Sequence, residues 1–208
     1  MQLAAWIRYQ NPESGPGSGA SPAWFAVTSL ATASILVIAP LAKPLLSEDA
    51  TVRFADALGI HFGTDENQRL GRLPQFFADM HGWRELAEAV AAVNAALPPE
   101  DRARACVYGQ NYGEAGAIDV FGPELGLGPA ISQRNSYWMW GPGTCTGVVV
   151  LMIGGQRADH LKHFASVEPA TTIHCADCMP YESDLTIWVA RHLTVPLAAA
   201  WSAGKHYD

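Results

Sequence analysis

Residues 173–182, "IHCADCMPYE", place His174, Cys175 and Cys178 in one short stretch, with His160 and His163 a little upstream. Two thiolates at C-x-x-C spacing with an imidazole beside them are three of the four nitrogen or sulfur ligands that zinc requires. A second C-x-x-C or an H-x3-H pair is missing, so no zinc or other cofactor is expected here. A Cys175–Cys178 disulfide or two free thiols are the expected states, and the disulfide gains weight if the segment lies outside the cytoplasm. Glu182 and Asp184 follow two residues apart, the spacing of neighbours on one face of a strand. Paired carboxylates can do acid–base work, but at the start of a strand they read as solvated charges. No G-x-S-x-G and no H-E-x-x-H occurs, and no Cys–His pair stands out as a nucleophile and its base.

A second constellation is "RNSYWMWGPG", which sets Tyr137, Trp138 and Trp140 beside Arg134 and Asn135. Aromatic faces next to amide and guanidinium groups suit a sugar, and tryptophans also suit a membrane interface. The competing reading is a strand and turn that packs its aromatics into the core. The third is "GQNYGEAGAIDVFGPELGLG", residues 109–128, a glycine-rich turn directly after the apolar run from Ala105 to Tyr108. Its spacing of Gly109, Gly113 and Gly116 fits neither the dinucleotide fingerprint nor the P-loop, and no lysine follows to meet a phosphate. Asn111 and Glu114 stand three apart, as a helix N-cap and its N3 partner do. Glu114 also puts a negative charge where the helix dipole would otherwise attract an anion. The turn is therefore expected to be a structural cap, not a phosphate loop.

These residues must be held by a fold. The chain has 208 residues, 49% of them hydrophobic and only 16% charged, enough for one globular domain plus an appendage. A net charge of −7 gives no basic field, so no nucleic-acid partner is expected. From Ala23 to Ala42 the chain carries no charge, and about twenty such residues span a hydrocarbon core as a helix, the competing readings being a buried core helix or a signal peptide. Trp24 and Phe25 at one end and Lys43 just past the other suit interfacial anchoring, and Pro40 and Pro44 would end or kink the helix. Segments 47–208 hold every acidic residue but Glu13 and every basic one but Arg8 and Lys43. That balance leans toward a C-terminal domain on the outer side.

The chain then divides into a flexible N-terminal segment (1–20), a transmembrane helix within 21–46, a juxtamembrane connector (47–72) and an α/β domain (73–208). In the connector a short helix is expected from Asp49 to Leu58. Leu86, Val90, Val93 and Leu97 recur at steps of four, three and four, which predicts a helix over 84–97 that Pro98 and Pro99 stop. Strands are expected at 105–108, in "GPAIS", in "GVVVLMIGG", in "ASVEPATTI" and in "LTIWVARHL", with helices over 112–121 and in "ADHLKHF". Strands alternating with helices imply an α/β fold, a mixed and largely parallel sheet covered by helices.

The stretches "LPQFFADMHGW", "NYGEAGAIDVFGPELGLGPAIS", "NSYWMWGPG" and "AAAWSAGKHYD", with "APLAKPLL" closing the apolar helix, resemble the C-terminal region of bacterial glycosyltransferase family 39 proteins. These are GT-C membrane enzymes related to the dolichyl-phosphate-mannose protein mannosyltransferases. The resemblance runs from about Trp24 to the end. It implies a bacterial inner-membrane protein that takes part in protein glycosylation, with this domain on the periplasmic side. The donor would be a polyprenyl-phosphate-linked sugar. The family's catalysis depends on acidic residues in a first extracytoplasmic loop, which no position of this chain matches. The resemblance therefore implies a terminal piece, or a separately encoded module acting with a membrane transferase partner, that assists donor or acceptor binding without catalytic residues of its own. The alternative is a single-span binding or scaffold protein with no transferase function.

Overall fold

The computed structural model describes residues 22–63, 69 and 71–207. The segment expected to be a flexible linker, residues 1–20, lies outside them. The chain forms two compact units, one ending at His61 and the other beginning at Phe62. That boundary falls inside the expected connector.

The first unit holds helix α1 (Pro22–Ala42) and helix α2 (Glu48–Ala57). Over Ala23–Ala42 the mean hydropathy of α1 is 2.0 and none of it is buried, so it is not a core helix of this chain. Twenty residues rising 1.5 Å each reach about 30 Å, the thickness of a bilayer core. By length and composition α1 fits a membrane anchor or a signal segment. Within it the Thr28 hydroxyl is satisfied internally, since Thr28 Oγ1 donates to the Trp24 carbonyl at 2.8 Å.

In the second unit a one-turn helix α3 (Gln75–Ala78) leads into helix α4 (Trp83–Ala96). Leu86, Val90, Val93 and Leu97 are all buried, as their spacing predicts. Leu97 itself is already extended, because the residue before a proline is pushed out of the helical region. Helix α5 (Pro99–Arg102) follows, then strand β1 (Ala105–Gly109), helix α6 (Tyr112–Phe121) and the short strand β2 (Ala130–Ile131). Helix α7 (Asn135–Trp140) precedes strand β3 (Val149–Ile153). Helix α8 (Arg157–His160), strands β4 (Phe164–Ile173) and β5 (Leu185–Leu193) and helix α9 (Leu197–Ala203) complete the unit.

Among the described residues one sheet forms, in the order β2-β1-β3-β5-β4. β1 runs parallel to β2 and to β3, while β5 is antiparallel to both β3 and β4. The sheet is mixed as the alternation of elements predicts, but it is not largely parallel. β4 and β5 are joined by the loop 174–184 with no crossover helix, and a direct return makes neighbouring strands antiparallel. Helices do cover the sheet.

β3 lies at the centre and is buried on both faces, which explains its unbroken apolar run. Val149, Leu151 and Ile153 point into one core with α4 and α6, and Val150 and Met152 into a second with Phe164, Val167 and Ala190. β4 is the exposed edge, carrying Pro169 and a register shift between Pro169 and Thr171. At the other edge the C-terminal tail lies beside the end of β2, with the His206 N–H donating to the Gln133 carbonyl at 3.1 Å. Arg191 ties β5 to the α5 turn and to β4, reaching Asp101 at 3.0 Å and Glu168 at 2.9 Å.

Candidate functional site

The glycine-rich turn after β1 is closed on itself. Asn111 Oδ1 accepts from the Glu114 N–H at 2.8 Å, and Glu114 Oε2 accepts from the N–H groups of Gln110 at 2.5 Å and Asn111 at 3.3 Å. This capping box takes up the donors an anion would need. Glu114 is only 3% exposed, and burial pushes its carboxyl up to about 7 although the two backbone N–H groups pull it down. Gly109 permits the tight exit from β1, since a Cβ there would lie 2.7 Å from the Ala115 nitrogen. Gly113 lets Trp83 of α4 approach, whereas Gly116 has room around it, so these two glycines do not press the helix onto the sheet.

The aromatic segment is a helix, not the strand and turn its residue types suggest. α7 is held by distant partners that a local pattern does not reveal. The Tyr137 hydroxyl donates to Asp119 Oδ2 on α6 at 2.6 Å, and Trp138 Nε1 donates to the Trp201 carbonyl at 3.1 Å. Burial and the Asp119 carboxylate hold the Tyr137 phenol well above its ordinary pKa. Asn135 opens the helix at φ 50°, the left-handed region that asparagine tolerates, and its N–H donates to the His206 carbonyl at 3.0 Å.

α7 therefore sorts the expected sugar-binding residues onto two sides. Arg134 reaches back to the Gln110 carbonyl at 3.2 Å, and Trp138 packs toward α9 beneath Lys205, whose Nζ lies 4.5 Å from the ring centroid. Tyr137 and Trp140 face the other way, with ring centroids 4.8 Å apart in an edge arrangement. Trp140 is 69% exposed. It stands with Tyr137 at a groove of about 350 Å³ lined also by Asn94, Arg102, Asp119 and the Pro142–Cys145 loop. Aromatic faces, an amide and a guanidinium around a groove of mixed polarity can grip a ligand with both C–H faces and hydroxyls. Asp119 serves as a brace: its Oδ1 accepts from the Ala130 N–H at 2.8 Å and its Oδ2 from Tyr137. A lone acid in the apolar run Ala115–Phe121 was the sequence signal for it.

A larger groove of about 680 Å³ opens on the opposite face of the sheet. Its floor is Val150, Met152 and Phe164, and α9 forms one wall through Ala200 and Trp201. Tyr108, whose phenol burial pushes up to about 12, donates to Gln133 Oε1 at 2.9 Å inside it. Disulfide Cys106–Cys145 joins β1 to the loop after α7, and Cys145 lines both grooves. Nothing in the cysteine spacing selects that pairing.

Cys175 and Cys178 are joined to each other, one of the two states expected of them. His174 contacts Asp184, and His160 is bonded instead to the Gly154 carbonyl at 2.9 Å. No group of three His, Cys, Asp or Glu side chains able to hold a metal ion exists among the described residues. Glu182 and Asp184 are not neighbours on a strand face, because both lie in the turn ahead of β5, with Asp184 at φ 56°.

Compared with family models, with curated proteins and with solved structures, the chain matches none.

Proposed function

We propose that this chain is a membrane-anchored, carbohydrate-binding α/β domain that serves a glycosyl transfer reaction without performing its chemistry. The observation that carries the reading is the groove of Tyr137 and Trp140. An exposed indole braced by a half-buried tyrosine, in a groove that also carries an amide and a guanidinium, is the equipment for holding a hexose ring. The apolar helix α1 supports attachment to the bilayer, which is where a polyprenyl-phosphate-linked sugar resides. The resemblance to the C-terminal region of family 39 glycosyltransferases supports the same assignment, with the domain on the periplasmic side of the inner membrane. In this reading the sugar of the donor or the acceptor rests on Trp140, and the catalytic carboxylates are supplied by membrane segments outside this chain.

A panel of soluble hexose oligosaccharides, titrated against the full chain in detergent and read by tryptophan fluorescence, tests this. Trp140→Ala should abolish the signal and weaken binding about tenfold or more, a loss of about 1.4 kcal/mol. Equal affinity in the variant, or no binding by any member of the panel, would overturn the reading. The single-span scaffold reading would then stand, favoured by the exposed apolar surface of α1 as a site for a helical partner.

A further inference from the structure

We propose that Cys175–Cys178 is an exchangeable, redox-active disulfide that accepts electrons from an external dithiol protein, with Cys178 leaving as a thiolate against the N-terminus of α4. The two cysteines enclose only Ala176 and Asp177, whereas Cys106 and Cys145 lie 39 residues apart. On the chain-entropy account a loop that short restrains the unfolded chain only about half as much, so fold stability is the weaker reason for its presence.

The site is asymmetric. Cys175 is half-buried and approachable, while Cys178 is 5% exposed. Both sulfurs pack on Gly82, the N-cap of the fourteen-residue helix α4. A Cβ placed on Gly82 would lie 2.6 Å from Cys178 Sγ and 3.3 Å from Cys175 Sγ, so only glycine admits the pair. Gly82 has φ 83°, and α4 carries no side-chain cap hydrogen bond. The positive end of the helix thus meets sulfur where a capping oxygen would stand, and such a position lowers the pKa of a thiol. Charges near the loop are largely paired with each other: Arg72 with Asp177 at 3.0 Å, and His174 with Asp184. His81 precedes the cap and the exposed Glu85 lies in the first turn. Ser183 Oγ donates to the Cys175 carbonyl at 2.6 Å and fixes the loop without touching the sulfurs.

The exchange runs in two steps. A thiolate of the partner attacks Cys175 Sγ, the Cys175–Cys178 bond breaks, and Cys178 leaves with the electron pair. The partner's second thiol, after losing its proton to solvent, attacks its own sulfur in the mixed disulfide and expels Cys175 as a thiolate. Two electrons have passed to this chain, the partner has become a disulfide, and Cys175 and Cys178 hold or exchange their protons with solvent. The site lies apart from the Trp140 groove, so the two assignments stand or fall separately.

The test uses the full chain in detergent with dithiothreitol as the probe, quenched by alkylation and read by mass spectrometry. Cys175–Cys178 should be reduced about tenfold faster than Cys106–Cys145 or more. Circular dichroism should stay unchanged after that selective reduction. In Cys175→Ser, ultraviolet thiolate absorbance should place the Cys178 pKa below the free-thiol value of about 8.5. Cys178→Ser should trap a mixed disulfide with glutathione at Cys175. Equal reduction rates, unfolding on selective reduction, or a Cys178 pKa at or above the free-thiol value would each overturn the proposal, and the first two need no variant.

Discussion

The indole N–H groups of Trp138 and Trp201 each donate to the other residue's backbone carbonyl, both at 3.1 Å. Two hydrogen bonds thereby lock α7 to α9 across 63 residues of chain, at the point where the wall of the large groove meets the aromatic helix. Trp201→Phe keeps most of the ring but removes one donor, leaving the Trp138 carbonyl with the Gly141 N–H at 3.3 Å alone. A loss of about 1–2 kcal/mol in urea unfolding is expected. Trp138→Phe should cost a similar amount, and the double variant should cost less than the sum by about 0.5 kcal/mol or more. Strict additivity would mean that the two bonds do not act as a unit.

Glu114 makes stability depend on pH in an unusual direction. Its folded pKa lies near 7, above the unfolded value of 4.5, so the folded state holds the proton more tightly. The contribution is fully present below about pH 4.5 and is lost as pH rises through 7, where the buried carboxylate must ionise. The swing is on the order of 3 kcal/mol. Glu114→Gln retains an oxygen for the Gln110 and Asn111 N–H groups but does not ionise. Stability curves of the variant should be flat between pH 5 and 8 compared with the parent, as measured by denaturant midpoints. An unchanged slope would rule Glu114 out as its source.

The Cys106–Cys145 bridge closes a much longer loop than Cys175–Cys178 and should matter more to folding. On the chain-entropy account, Cys106→Ala with Cys145→Ala costs about 4 kcal/mol and the Cys175, Cys178 double alanine about 2 kcal/mol. Guanidinium unfolding of the two variants gives the order directly. A larger loss from the short loop would contradict it.

Asp119 is expected to control Tyr137. With Asp119→Ala the carboxylate that raises the phenol is gone, and ultraviolet titration should show Tyr137 ionising closer to pH 10. The same change orphans the Ala130 N–H and should destabilise the domain by about 1–3 kcal/mol. A phenol that titrates as before would show that burial alone sets its pKa.

The parts of this fold that rest on local rules were legible in the residues. Leu86, Val90, Val93 and Leu97 announce α4 because helical spacing alone gathers them, and Asn111 with Glu114 announces the start of α6 because a capping box spans three residues. β4 and β5 were visible as extended runs of β-branched and aromatic residues. α7 was not visible. Tyr137, Trp138 and Trp140 favour strands by propensity, and what makes them helical is contact with Asp119, Trp201 and His206, each far away in sequence. The aromatic cluster was legible as a set of residue types but not as a geometry: a helix turns Trp138 and Trp140 apart, where a strand would have kept them on one face. Direction in the sheet was hidden for the same reason, since only the fold shows that the loop 174–184 returns directly.

The outer strand β4 has a consequence for how this protein behaves when crowded. An unprotected strand edge invites another chain to dock by backbone pairing, and a flat two-dimensional array on a surface would make such meetings frequent. Pro169 has no N–H to offer a newcomer, and the slip between Pro169 and Thr171 sets the remaining donors out of step. The opposite edge is partly taken by the chain's own tail at His206. Growth by strand addition is discouraged at both margins, so the sheet stays closed to its neighbours.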